Sequence, residues 1–174
     1  MAIMRPASTL SLVLNFAAFQ LGWLVCVLFT NQLAAVAALL LVLAHLRWLS
    51  VFPGPEALFI LLGTASGALL DSLWLGTGVL VTTPDSVLAP LWLVALWALF
   101  MTTLCHSLAW LGRRRVLPFL LAPIAGPCAY WAASGLGAVQ LGDRVITTLL
   151  LAAGWLVLFP GLLTIRKRFF PGLV

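Results

Sequence analysis

Six long apolar stretches fill this chain, and its few basic side chains fall almost entirely in alternate gaps between them. About 20 apolar residues cross the hydrocarbon of a bilayer as a helix, and short loops rich in Lys and Arg resist translocation. Arg5 precedes the first stretch, Arg47 closes the second, Arg113, Arg114 and Arg115 separate the fourth from the fifth, and Arg166, Lys167 and Arg168 follow the sixth. Arg144 alone falls in a gap of the opposite parity. The pattern predicts an all-α polytopic membrane protein, a bundle of six transmembrane helices with both termini cytoplasmic.

Composition leaves little alternative. Hydrophobic residues make up 64% of the chain and charged residues 7%, against roughly a quarter charged in a soluble domain, so there is too little polar material to cover a globule in water. Residues 1–174 are expected to form one transmembrane domain, with helices at about 10–29, 33–51, 57–81, 88–111, 116–139 and 145–165. Breakers support the divisions. Thr30, Asn31 and Gln32 make a polar turn, Pro53, Gly54 and Pro55 stop the second helix, and Glu56 stands at the start of the third, where an anion suits a helix N-terminus. Pro118, Pro123 and Pro127 predict kinks in the fifth. The run after Arg5 is longer than a secretory core and no cleavage signal follows it, so it is read as a retained helix.

The net charge of +5 does not point to nucleic acid, because the cations flank helices and form no groove-sized patch. They are read as topology signals, with Arg113, Arg114 and Arg115 as contacts for anionic lipid. Cys26, Cys105 and Cys128 have no metal-finger spacing and are expected to be inert.

Polar residues inside spans carry a desolvation cost and are therefore the candidates for function. Asp71 is the only acid inside a predicted span, beyond its midplane and on one face with Gly63, Gly67 and Trp74. That face admits a close neighbour helix and turns the carboxylate into the bundle. Tyr130, on a face with Gly126 and Ser134, should lie at the depth of Asp71, and the two are expected to pair. Asn15 and Gln20, five residues apart, point to different faces at about 100° per residue. In the fourth span Trp92, Leu96, Leu99, Thr103, His106 and Trp110 form one stripe, bringing a hydroxyl and an imidazole together near the cytoplasmic end. His45 lies at comparable depth. Two histidines without a carboxylate at their level are poor grounds for a metal, so no metal is expected. Trp23, Trp97 and Trp155 are deep, as core packing or as walls of an apolar pocket.

No GxSxG elbow, HExxH motif or Walker loop is present, and the residues name no cofactor. Asn15 and Phe16 with Phe19 to Trp23, the segment from Gly67 to Asp71, the stretch PLWLVALWALFMTTLCHSLAWL from Pro90 to Leu111, and Gly126 and Pro127 with Tyr130 resemble an uncharacterised family of small bacterial inner-membrane proteins, a domain of unknown function. The resemblance covers almost the whole chain and implies six helices in a bacterial inner membrane. In size and in the GALLDSLWLG segment the chain is more loosely similar to the substrate-binding subunits of vitamin transporters and to rod-shape membrane proteins.

Three functions are open to such a chain. One is binding of a small or lipid-like molecule, as in a transport-related substrate-binding subunit, in a pocket walled by Asp71, Tyr130, Gln20, Trp23 and Trp97. Another is catalysis on a lipid, with His106 as acid or base assisted by Thr103, Asn15 or His45. The third is assembly with other membrane proteins through the small-residue faces Gly63 to Gly67 and Ala34 to Ala38.

Overall fold

The computed structural model describes residues 8–173; Arg5, one of the orienting cations, lies outside them. Six helices run in chain order: α1 (Thr9–Phe29), α2 (Gln32–Trp48), α3 (Pro53–Gly76), α4 (Leu91–Cys105), α5 (Leu117–Gly135) and α6 (Arg144–Phe169). α1, α3, α5 and α6 are each long and apolar enough to cross a membrane, and α2 and α4 are shorter apolar helices of 17 and 15 residues. Leucines such as Leu10, Leu21, Leu33, Leu69 and Leu149 stand more than 60% exposed on the outer surface. So much contiguous apolar surface fits lipid rather than water.

Local chemistry sets the helix ends. Ser8 and Asn31 accept from Ser11 N and Ala34 N at 3.1 and 2.9 Å, and Asp143 accepts from Val145 N and Ile146 N at the start of α6, so side-chain oxygens cap amides the helix cannot pair. α3 begins at Pro53 itself, because a proline at the first helical position gives up no needed amide. Pro53 to Pro55 therefore open α3, and Glu56 lies inside its first turn.

The third and fifth helices end earlier than the predicted 81 and 139. Gly78 and Gly137 adopt positive φ just past their ends, a conformation glycine accepts freely. The chain beyond forms a small antiparallel ribbon, β1 (Leu80–Val81) with β2 (Gln140–Leu141), which ties the two connections together at one end of the bundle.

α4 is the central helix, packed on α1, α2 and α3, while α5 and α6 form a hairpin whose backbone approaches α3 and whose α6 side chains Trp155 and Arg166 reach α4. Gly63 and Gly67 lie under Met101 and the Trp97 ring of α4, and Ala34 and Ala38 are buried as well. Both small-residue faces considered for outside partners are thus occupied within the chain.

The largest departure from the sequence reading is in the fourth helix, which stops at Cys105 instead of continuing to 111. His106 has φ −128° and ψ −98°, and a short 3-10 turn covers Ala109–Arg113. Distant side chains replace the missing ladder. Asn15 takes the Ser107 amide at 3.2 Å, and the guanidinium of Arg166 donates to Leu104 O and, at 3.2 Å, to Ala109 O. Arg166 is only 1% exposed; it was expected to be a loop cation, but α6 carries it inward, where it serves as a helix C-cap.

Candidate functional site

Two buried polar clusters lie in the bundle, one toward each end. Asp71 is fully buried and each of its oxygens accepts one bond: Oδ2 from Trp97 Nε1 at 2.6 Å, Oδ1 from the Tyr130 hydroxyl. The expected partnership of Asp71 and Tyr130 is present, and Trp97 completes it because Gly67 leaves room for the indole. Trp155 stacks on Trp97 with centroids 5.2 Å apart, above Gly126, where any side chain would strike its ring. Gln20 does not join this group; it is exposed on the outer face of α1. A polar residue in an apolar helix gives no sign of which face it occupies until its neighbours are placed.

Beside this cluster a cavity of about 360 Å³ runs lengthwise between α1 and α4 on one side and α5 and α6 on the other. Trp23, Trp92, Trp97, Trp110 and Trp155 line it together with Tyr130. One end lies at Trp92 and Val139, the other at Trp110 and Leu111. In sequence the exposed Arg113, Arg114 and Arg115 follow Leu111 at that second end by two to four residues.

The second cluster joins four helices around Glu56. Glu56 Oε1 lies 2.7 Å from His45 Nε2 and 3.4 Å from His106 Nδ1, and the two imidazoles meet edge to face with centroids 4.4 Å apart. Asn15 secures the arrangement from α1, with its Nδ2 3.2 Å from His45 Nδ1 and 3.1 Å from Thr102 Oγ1, and its Oδ1 2.6 Å from Ser107 Oγ. Glu56 is 1%, Asn15 2%, His45 4% and His106 9% exposed, so the cluster is closed to both lipid and water.

Fixed donors determine the proton positions. The Ser107 amide can only donate, so Asn15 meets it with its oxygen. The Thr102 hydroxyl donates to Leu99 O at 2.8 Å and so receives the Asn15 amide. His45 Nδ1 must then accept from that same amide, which leaves the ring proton on Nε2, directed at Glu56. His106 donates its Nε2 proton to Leu49 O at 3.3 Å. Its Nδ1, buried and facing Glu56 Oε1, has no hydrogen-bond partner among the described residues, and the hydroxyl of Ser50 is buried unpaired as well.

Thr103 is absent from this group. Its hydroxyl bonds back to Phe100 O at 2.7 Å, and Thr102 faces the cluster instead. The predicted stripe pairing Thr103 with His106 assumed a helix that continues through both, and α4 ends between them. Glu56 is the residue the sequence reading missed. Glu56 supplies, at the level of His45 and His106, the carboxylate whose absence speaks against a metal in the sequence. The signal for it is the proline at the first position of α3, which sets Glu56 inside the first helical turn rather than just ahead of the helix.

No curated protein and no solved structure matches the chain. A family model described as "Protein of unknown function (DUF2878)" matches residues 12–161, and the chain belongs to that family.

Proposed function

We propose that the protein is a six-span bacterial inner-membrane protein, with N- and C-termini cytoplasmic, that holds an anionic phospholipid-like molecule in the cavity between α4 and α5. The carrying observation is the shape and ending of that cavity. It is aromatic and almost wholly apolar, and its lining reaches Leu111, just before the exposed Arg113, Arg114 and Arg115 in the chain. An extended acyl chain suits such a groove, and a phosphate headgroup suits an exposed arginine triplet at a membrane surface. The Asp71, Tyr130 and Trp97 cluster stiffens the wall and sets the rings against which the chain lies.

Orientation follows from the same cations: Arg47, Arg113, Arg114, Arg115, Lys167 and Arg168 gather at one end and the short Thr82 to Ser86 loop at the other. A transport-related role fits a chain that binds its ligand within the helix bundle. A catalytic role draws less support, because Asn15, His45, Glu56 and His106 do not line the groove.

Native mass spectrometry of the protein extracted in mild detergent tests the proposal. An anionic phospholipid adduct should survive on the wild type and be lost on Ala129→Trp, which fills the groove from α5. A lipid-free wild type, or an unchanged adduct on the variant, contradicts it.

A further inference from the structure

We propose that His45, Glu56 and His106 form a binding site for a divalent first-row transition ion, with His45 Nε2, Glu56 Oε1 and His106 Nδ1 as ligands. The site is separate from the groove and does not depend on what the groove holds.

Geometry is the first support. The three atoms lie within 4.8 Å of one another. Around a tetrahedral zinc, ligand bonds of about 2.0–2.1 Å place neighbouring donors roughly 3.3 Å apart. Glu56 Oε1 to His106 Nδ1 already measures 3.4 Å, and the 2.7 Å between Glu56 Oε1 and His45 Nε2 has to open by about 0.6 Å to reach that spacing. Two histidines and one glutamate are a recurrent ligand set that leaves a further position for water.

Unsatisfied chemistry is the second. With Nε2 donating to Leu49 O, His106 turns a bare Nδ1 lone pair toward a carboxylate oxygen. Two such acceptors are reconciled by a proton on Nδ1 or by a metal ion between them, and the metal ion also takes His45 Nε2 as a third ligand. A backbone carbonyl holding the far nitrogen of a ligand imidazole is the usual outer-shell arrangement. Ser50, its buried hydroxyl unpaired, sits beside Glu56 and can bond a water on the ion.

His45 needs one adjustment. Its proton occupies Nε2, so the ion displaces it to Nδ1, with no net proton gained or lost, and the Asn15 amide turns over to accept it. The turned amide gives up the bond from the Ser107 backbone amide and donates to Ser107 Oγ instead, while the Thr102 hydroxyl leaves Leu99 O to donate to the turned oxygen.

The chain has two histidines, so imidazole nitrogen NMR reads both rings. The test adds zinc(II) to EDTA-treated, untagged full-length protein with nitrogen-15-labelled histidine in detergent. Expected are about one retained zinc per chain after gel filtration, movement of His45 Nε2 and His106 Nδ1 to metal-bound positions, and at least about tenfold weaker binding by Glu56→Gln, which keeps an acceptor for His45. Failure of the wild type to retain zinc, unchanged histidine signals, or equal retention by Glu56→Gln and His106→Gln overturns the site. The wild-type outcomes do not depend on whether a variant folds.

Discussion

Replacing Asn15 by leucine keeps the side chain's approximate size and removes the knot that joins α1 to α2 and α4. Four hydrogen bonds disappear: two given by Nδ2, to His45 and Thr102, and two taken by Oδ1, from the Ser107 amide and hydroxyl. Interhelical hydrogen bonds in membranes average about 0.6 kcal/mol each, which places the loss near 2.5 kcal/mol. The orphaned His45 Nδ1 is buried and the Ser107 amide half-buried, and together they add about 1–2 kcal/mol, so the total should reach about 4 kcal/mol. Gln20→Leu on the same helix is the matched control. Its amide is exposed, with no protein hydrogen bond among the described residues, so its removal should cost nothing or stabilise slightly in lipid. Equilibrium unfolding in mixed micelles, followed by tryptophan fluorescence, measures both. An Asn15→Leu protein within about 0.5 kcal/mol of wild type refutes the claim that this network orders the four helices.

Other outcomes follow from the same contacts. Asn15→Asp offers His45 Nδ1 an accepting oxygen without an amide turn, so zinc should bind about tenfold tighter or more; calorimetry reads this directly, and weaker binding argues against His45 as a ligand. Gly67→Val places carbon where the Trp97 ring lies and should destabilise by about 1–3 kcal/mol, whereas Gly54→Val, with open space around it, should cost less than about 1 kcal/mol. Arg166→Met leaves Leu104 O and Ala109 O without their donor and should cost about 1–3 kcal/mol, with faster amide exchange across residues 104–113.

What was legible in the sequence came from local rules. Apolar length placed the helices, and the interval of four from Gly63 through Gly67 to Asp71 turned the carboxylate inward, where depth alone matched it to Tyr130. The unread parts depend on contacts between distant residues. α4 stops at Cys105 because Asn15, 92 positions before Ser107, and Arg166, 62 positions after Leu104, take over its backbone groups, and no periodicity in residues 88–111 records that. Glu56 was hidden for a different reason: next to a Pro-Gly-Pro segment a carboxylate reads as a polar boundary, and only the approach of His45 and His106 from two other helices makes it a core residue. Gln20 shows the reverse, a polar residue whose face cannot be known until the bundle closes around Asn15.

Whether the space between α4 and α5 holds lipid is read from a density map of the protein in nanodiscs of native lipid. Continuous elongated density is expected against Trp23, Trp97 and Trp155, with its head beside Arg113, Arg114 and Arg115. A map in which α5 closes onto α1 and α4, leaving no density and no groove, contradicts the lipid site.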